Sequence, residues 1–194
     1  MCVLAPLSVA QPFFTIGHST RAIDEFLGLL GDAGVRLVVD VRTVPGSRSN
    51  PQYNANALAR ELAGSQIGYE HVAALGGLRG RHREVPEAVN AFWRNRSFHN
   101  YADYAMGEDF HSGLRRLREL GRTTPCAIMC AEAVWWRCHR RIITDYLLAD
   151  GIPVAHIMGH HRLDPAKLTP GARWLPGGIL VYPAAEDEAA DTPD

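Results

Sequence analysis

Between Ile128 and Arg141 the sequence reads IMCAEAVWWRCHRR, which packs two cysteines, a glutamate, two adjacent tryptophans, a histidine and three arginines into one short run. Each of these types carries its own chemistry. A cysteine beside positive charge yields a thiolate nucleophile. A carboxylate in an enclosed crevice serves as base or nucleophile. Arginine grips phosphate with a two-pronged fork, and tryptophan offers a flat face to a nucleobase.

Other polar groups gather in three further segments. GHST supplies His18 and Ser19, DVRTVPGSRSN supplies Asp40, Arg42 and Arg48, and LGGLRG supplies Gly76, Gly77 and Arg79. The catalytic candidates are Glu132, Asp40, Cys130 and His18, with the two carboxylates placed ahead of Cys130. Ser19, Arg42, Arg48, Gly76, Gly77, Arg79, Trp136, Arg137, Cys138, His139 and Arg140 are the candidate binding residues. A helix beginning near Trp136 would put Arg137, Cys138, His139 and Arg140 in its first turn. Cations there oppose the helix dipole and call for a compensating anion. The run from Cys130 to Arg137 has six intervening residues, one more than a thiol phosphatase loop, and Glu132 inside it repels phosphate. That activity is excluded. Cys130, Cys138, His139 and His18 match neither the C-x2-C nor the H-x3-H spacing of a structural zinc site. No metal and no cofactor are therefore expected.

The intervening segments read as the elements that must position these groups. PFFTIGHS, with its strand ending near Gly17, VRLVVDVR, IGYEHV, PCAIMCA and IPVAHIM have the length and apolar character of buried strands, and GGILVYP adds a late edge strand. AIDEFLGLLGDAG, NALARELAGSQ, EDFHSGLRRLRELG and WRCHRRIITDYLLADG repeat apolar residues at helical spacing. Leu75 to about Asn100 carries no clear period. Strands alternating with helices predict an α/β domain, a three-layer sandwich with a mostly parallel, Rossmann-like sheet and helices on both faces. In such sheets ligands bind beyond the carboxyl ends of the strands, which is where the four polar segments fall.

Taken in order, TIGHSTRAIDEFLGLL, VVDVRTVPGSRSNPQYN, LGGLRG, FHNYADYAMGEDF, MCAE with WRCHRRII, and HRLDPAKLTPGA resemble the segments of the family catalogued as domain of unknown function 488, over Thr15 to Pro183. The resemblance implies an α/β fold and a pocket built from the GHST, DVR, LGG and CAE…CHR segments. The EAVWWR link departs from the family's usual polar or proline-containing one, which points to Trp136 rather than Trp135 at the site.

With 194 residues, 46% of them hydrophobic, the chain has the material for one domain over residues 1–183. The acidic stretch 184–194 is expected to be disordered. A formal net charge of −1 excludes a general polycationic field for nucleic acid or lipid, so any anion site is local. No apolar run is long enough to span a membrane, and the four cysteines fit a reduced, cytoplasmic protein. The expected function is that of an enzyme, a hydrolase or transferase acting on a phosphate-bearing nucleotide or nucleic acid in a strand-end crevice. The alternatives are a non-catalytic module that binds nucleotide or nucleic acid through the RTVPGSRSN loop and the RGRHR segment, and a redox sensor built on Cys130 and Cys138.

Overall fold

The computed structural model describes residues 11–184; the acidic segment from 185 onward lies outside them. Strand β1 (Phe13–Gly17) leads through helix α1 (Ile23–Asp32) to β2 (Leu37–Asp40), and α2 (Ala55–Gly64) leads to β3 (Gly68–His71). Helices α3 (Arg96–Ala105) and α4 (Glu108–Gly121) precede β4 (Cys126–Cys130), and α5 (Arg140–Ala149) joins it to β5 (Val154–Gly159). Strand β6 (Arg162–Pro165) turns back antiparallel on β5. The sheet has the order β3-β2-β4-β1-β5-β6 and is otherwise parallel.

Alternation along the strands decides which layer each side chain joins, because successive residues face opposite sides of a sheet. On one face Phe14, Ile16, Val38, Ala127 and Met129 pack with Phe26, Leu29 and Leu30 of α1 and with Leu58 and Leu62 of α2. On the other, Phe13, Val39, Ile128 and Cys130 pack with α3, α4 and α5 through Tyr101, Phe110, Leu114, Leu117, Ile142 and Tyr146. The three layers are those expected. A buried leucine such as Leu114, fully screened from solvent, contributes about 2 kcal/mol by leaving water.

Three local expectations need correction. The stretch read as aperiodic contains α3, capped by Asn95, whose side chain accepts hydrogen bonds from Ser97 N and Phe98 N. Phe98, Tyr101, Ala102 and Ala105 lie on one helical stripe, but Arg96, His99 and Asn100 between them mask it. GGILVYP does not extend the main sheet. Its strand β8 (Ile179–Val181) pairs with β7 (Arg173–Leu175) in a separate hairpin, anchored where Tyr182 Oη donates to Asp145 Oδ2 at 3.0 Å. The helix expected from Trp136 begins at Arg140. Trp135–Arg137 is a 3-10 turn and Cys138 is extended, with φ −126° and ψ 144°. Among the described residues no helix is long and apolar enough to cross a membrane.

Candidate functional site

The sheet order fixes the place of the crevice. From β1 the chain crosses over β4 to β2, whereas from β4 it crosses over β1 to β5, so the two crossovers diverge between β1 and β4. Ligand crevices open at such a switch point. His18 N and Ser19 N donate to Cys130 O and Ala131 O at 3.0 and 2.9 Å, tying the two strand ends together. A Cβ on Gly17 would fall 1.9 Å from Glu132 O, so only glycine lets the loop after β4 lie this close. Above the joined ends opens a cavity of about 830 Å³, within the usual size of a small-molecule site.

One wall is a closed electrostatic unit. Arg42 donates through Nε to Asp40 Oδ1 at 2.9 Å and through Nη2 to Oδ2 at 2.6 Å. Tyr69 Oη donates to the same Oδ2 at 2.8 Å, and Arg42 N reaches Oδ1 at 3.0 Å. Both partners are buried. Asp40 has no lone pair left over for catalysis, and Arg42 faces the cavity with its charge already matched. Burial, opposed by the Ser19 carbonyl, holds His18 down to about pKa 4. The ring is therefore neutral at pH 7. Its Nδ1 donates to Ser19 O at 2.8 Å, Arg42 Nη1 donates to its Nε2 at 3.3 Å, and it stacks on Tyr53. Both ring nitrogens are thus engaged, and His18 orients Arg42 rather than moving protons.

The floor is different. Cys130 Sγ, Cys138 Sγ and His139 Nδ1 lie within 4.8 Å of one another and all three residues line the cavity. The thiols are free. His139 Nε2 is 2.9 Å from Val41 O, which only accepts, so the proton is on Nε2 and the Nδ1 lone pair points at the sulfurs. Arg140, only 1% exposed, donates through Nε to Cys138 Sγ at 3.2 Å and through Nη2 to Glu132 O at 2.6 Å. No carboxylate is within ion-pair distance of it among the described residues. Burial works to raise the Cys138 thiol, but the Cys130 hydrogen bond and the Arg140 charge outweigh it and hold Cys138 well below the ordinary thiol range. The same hydrogen bond, with burial, pushes Cys130 up.

The remaining candidates separate into those brought to the cavity and those kept from it. Ser19, Gly77, Glu132 and Arg137 line it. The Glu132 side chain is exposed at the mouth, and neither it nor Arg137 has a side-chain partner among the described residues. Arg48 is exposed outside. Arg79 is occupied elsewhere, donating to Gly76 O and Ala73 O while lying 3.7 Å from the centre of the Tyr104 ring. Gly76 packs against Thr43 instead of the cavity. Trp136 is 46% exposed and does not line the cavity. Trp135 stacks on His156 with centroids 4.3 Å apart. Flat and apolar surface comes instead from Phe98 at the start of α3 and from the exposed Val44 and Leu78. The masked stripe of α3 hid Phe98, and no spacing signal marks Val44 or Leu78.

The model of the family described as domain of unknown function DUF488 matches residues 22–147, well over half of the chain. The chain belongs to the DUF488 family. Within the matched DUF488 span lie Asp40, Arg42, Gly77, Cys130, Glu132, Cys138, His139 and Arg140, whereas His18 and Ser19 precede it. Neither the curated proteins nor the solved structures provide a match to the chain.

Proposed function

We propose that this DUF488 protein is an enzyme, a hydrolase or transferase, that takes a phosphate-bearing small molecule such as a nucleotide into the strand-end cavity. The observation that carries this reading is the convergence of Cys130, Cys138 and His139 at the floor of a cavity of about 830 Å³. Three groups able to share protons, donate electron pairs or hold a Lewis acid meet there, and the carboxylate of Asp40 is spent on Arg42. Arg137, unpaired on the wall, supports an anionic substrate. Phe98 and Leu78 support an apolar or aromatic moiety beyond the charge. Glu132, exposed at the mouth, remains within the proposal as a base for an incoming water or acceptor. The reduced thiols accord with a cytoplasmic setting.

The test is a panel of inorganic phosphate, nucleoside mono- and diphosphates and short oligonucleotides, scored by thermal stabilisation. A true ligand at a hundredfold excess over its Kd adds about 2.7 kcal/mol, and Arg137→Ala weakens that response about tenfold. A panel without any stabilising anion, or a response indifferent to Arg137→Ala, refutes the reading. The non-catalytic alternative through the RGRHR segment has less support, since Arg81 pairs with Glu87, His82 with Glu84, and Arg79 with backbone carbonyls. A second reading, a dithiol switch, is favoured by one observation alone, the Cys130 and Cys138 sulfurs lying within 4.8 Å of each other. It requires the two thiols to close into a disulfide under mild oxidant.

A further inference from the structure

We infer that Cys130, Cys138 and His139 form a three-ligand centre for a thiophilic divalent metal, zinc above all, with its fourth position open to the cavity. The inference deepens the functional reading and takes from it only that this cluster is the reacting end of the cavity.

The distances suit an ion. Around tetrahedral zinc, with Zn–S near 2.3 Å and Zn–N near 2.0 Å, neighbouring donor atoms stand about 3.6 Å apart. Cys138 Sγ and Cys130 Sγ lie 3.6 and 4.0 Å from His139 Nδ1. Hydrogen bonding alone leaves the longer separation weak, whereas a single ion bound by both sulfurs and Nδ1 accounts for all three donor atoms lying within 4.8 Å of one another.

The surroundings prepare each ligand. His139 must offer Nδ1, and the 2.9 Å contact of Nε2 with Val41 O fixes that tautomer, as an outer carbonyl does for a metal-bound imidazole. Space beside Nδ1 is kept by Gly77, where a Cβ would lie 2.3 Å from that nitrogen. Arg140 is fully buried without a carboxylate partner, and its Nε contact with Cys138 Sγ supplies the missing counter-charge, a thiolate. Two thiolates and an imidazole are a soft set that selects zinc over magnesium or calcium. Three protein ligands with an open fourth position are the arrangement of a catalytic zinc site.

Binding balances simply: the ion displaces to solvent whatever protons the two thiols carry, and its two charges are neutralised by two thiolates. Arg140 then leaves the centre with one net positive charge facing the cavity, which favours an anionic substrate oxygen or a hydroxide in the fourth position. The Cys–x7–Cys–His spacing escapes the familiar zinc patterns because β4 and the 3-10 turn, rather than a tight knuckle, deliver the ligands.

The test uses the full chain stripped with chelator under reducing conditions and reloaded with zinc or cobalt(II). One ion per chain by native mass spectrometry, with intense thiolate-to-cobalt absorption, is expected. Cys138→Ser and His139→Asn should each weaken zinc at least about 100-fold, the upper end of what loss of an outer-shell partner costs. Should either variant misfold, the unaltered protein still decides: zinc should slow iodoacetamide alkylation of Cys130 and Cys138 at least tenfold, read peptide by peptide. The inference is overturned by absence of stoichiometric metal, by retention of zinc in both variants, by alkylation rates indifferent to zinc, or by a purified chain whose mass and labelling show a Cys130–Cys138 disulfide. Metal binding without any response to phosphate-bearing ligands removes the functional reading alone, and an anion response without metal removes the metal centre alone.

Discussion

Two polar clusters stand at the ends of the neighbouring strands β2 and β4, and they spend their polar residues in opposite ways. At the end of β2, Asp40, Arg42 and Tyr69 form a saturated unit in which both carboxylate oxygens, the guanidinium and the phenol have partners. At the end of β4, Cys130, Cys138 and His139 direct donor atoms at a common point, and buried Arg140 has a sulfur where Arg42 has a carboxylate. The first cluster is stable because its charges cancel internally. The second leaves valence facing the cavity, so reactivity belongs there although Asp40 looks like the better catalyst in the sequence.

The largest expected effect comes from breaking the saturated unit. Asp40→Ala strands the buried Arg42 charge and should cost about 4 kcal/mol by urea unfolding, the usual penalty for removing one partner of a buried pair. A loss under about 1 kcal/mol would show that solvent reaches Arg42 and that the two clusters differ less than their geometry says.

A second carboxylate sharpens the contrast. Asp145 is as buried as Asp40 but accepts only from Thr169 N and Tyr182 Oη, and burial pushes it up to about 6. The folded form holds this proton more tightly than the unfolded chain. Its contribution is therefore complete below about pH 4 and is lost as pH rises through about 6, a change of about 3 kcal/mol. Asp145→Asn, which keeps the acceptor for Thr169 N, should remove that decline. Parallel stability curves for both proteins between pH 4 and 8 would refute the assignment.

Smaller effects test the floor. Gly77→Ala puts a Cβ 2.3 Å from His139 Nδ1 and should destabilise by about 2 kcal/mol through overpacking. It should also turn the imidazole away from the sulfurs, visible as a changed His139 resonance. Smallest of all, Glu132→Gln at the exposed mouth should alter stability by less than about 0.5 kcal/mol. A much larger change would place Glu132 in the saturated network instead of on the open rim.

What the sequence determined by itself is the set of elements and their order. Apolar runs such as VRLVVDV and stripes such as Phe110, Leu114 and Leu117 follow from local periodicity, and strands alternating with helices admit few topologies. The strand-end rule then brought GHST, DVR, LGG and CAE…CHR to one crevice. The α3 stripe escaped because polar neighbours interrupt it, and the antiparallel β6 because its exposed RLDP has no buried alternation. Tertiary structure alone decided which polar residues remain open. Whether Arg42 binds a ligand or Asp40 depends on Asp40 Oδ2 standing 2.6 Å from Nη2. Whether Arg79 faces a cavity or the Tyr104 ring depends on how α3 packs. The convergence of Cys130, Cys138 and His139 depends on a 3-10 turn that delays α5 to Arg140 and swings two sequence neighbours back over the strand end. Such partnerships fall off within a few ångströms, and one-dimensional spacing fixes distances that finely only inside a single regular element.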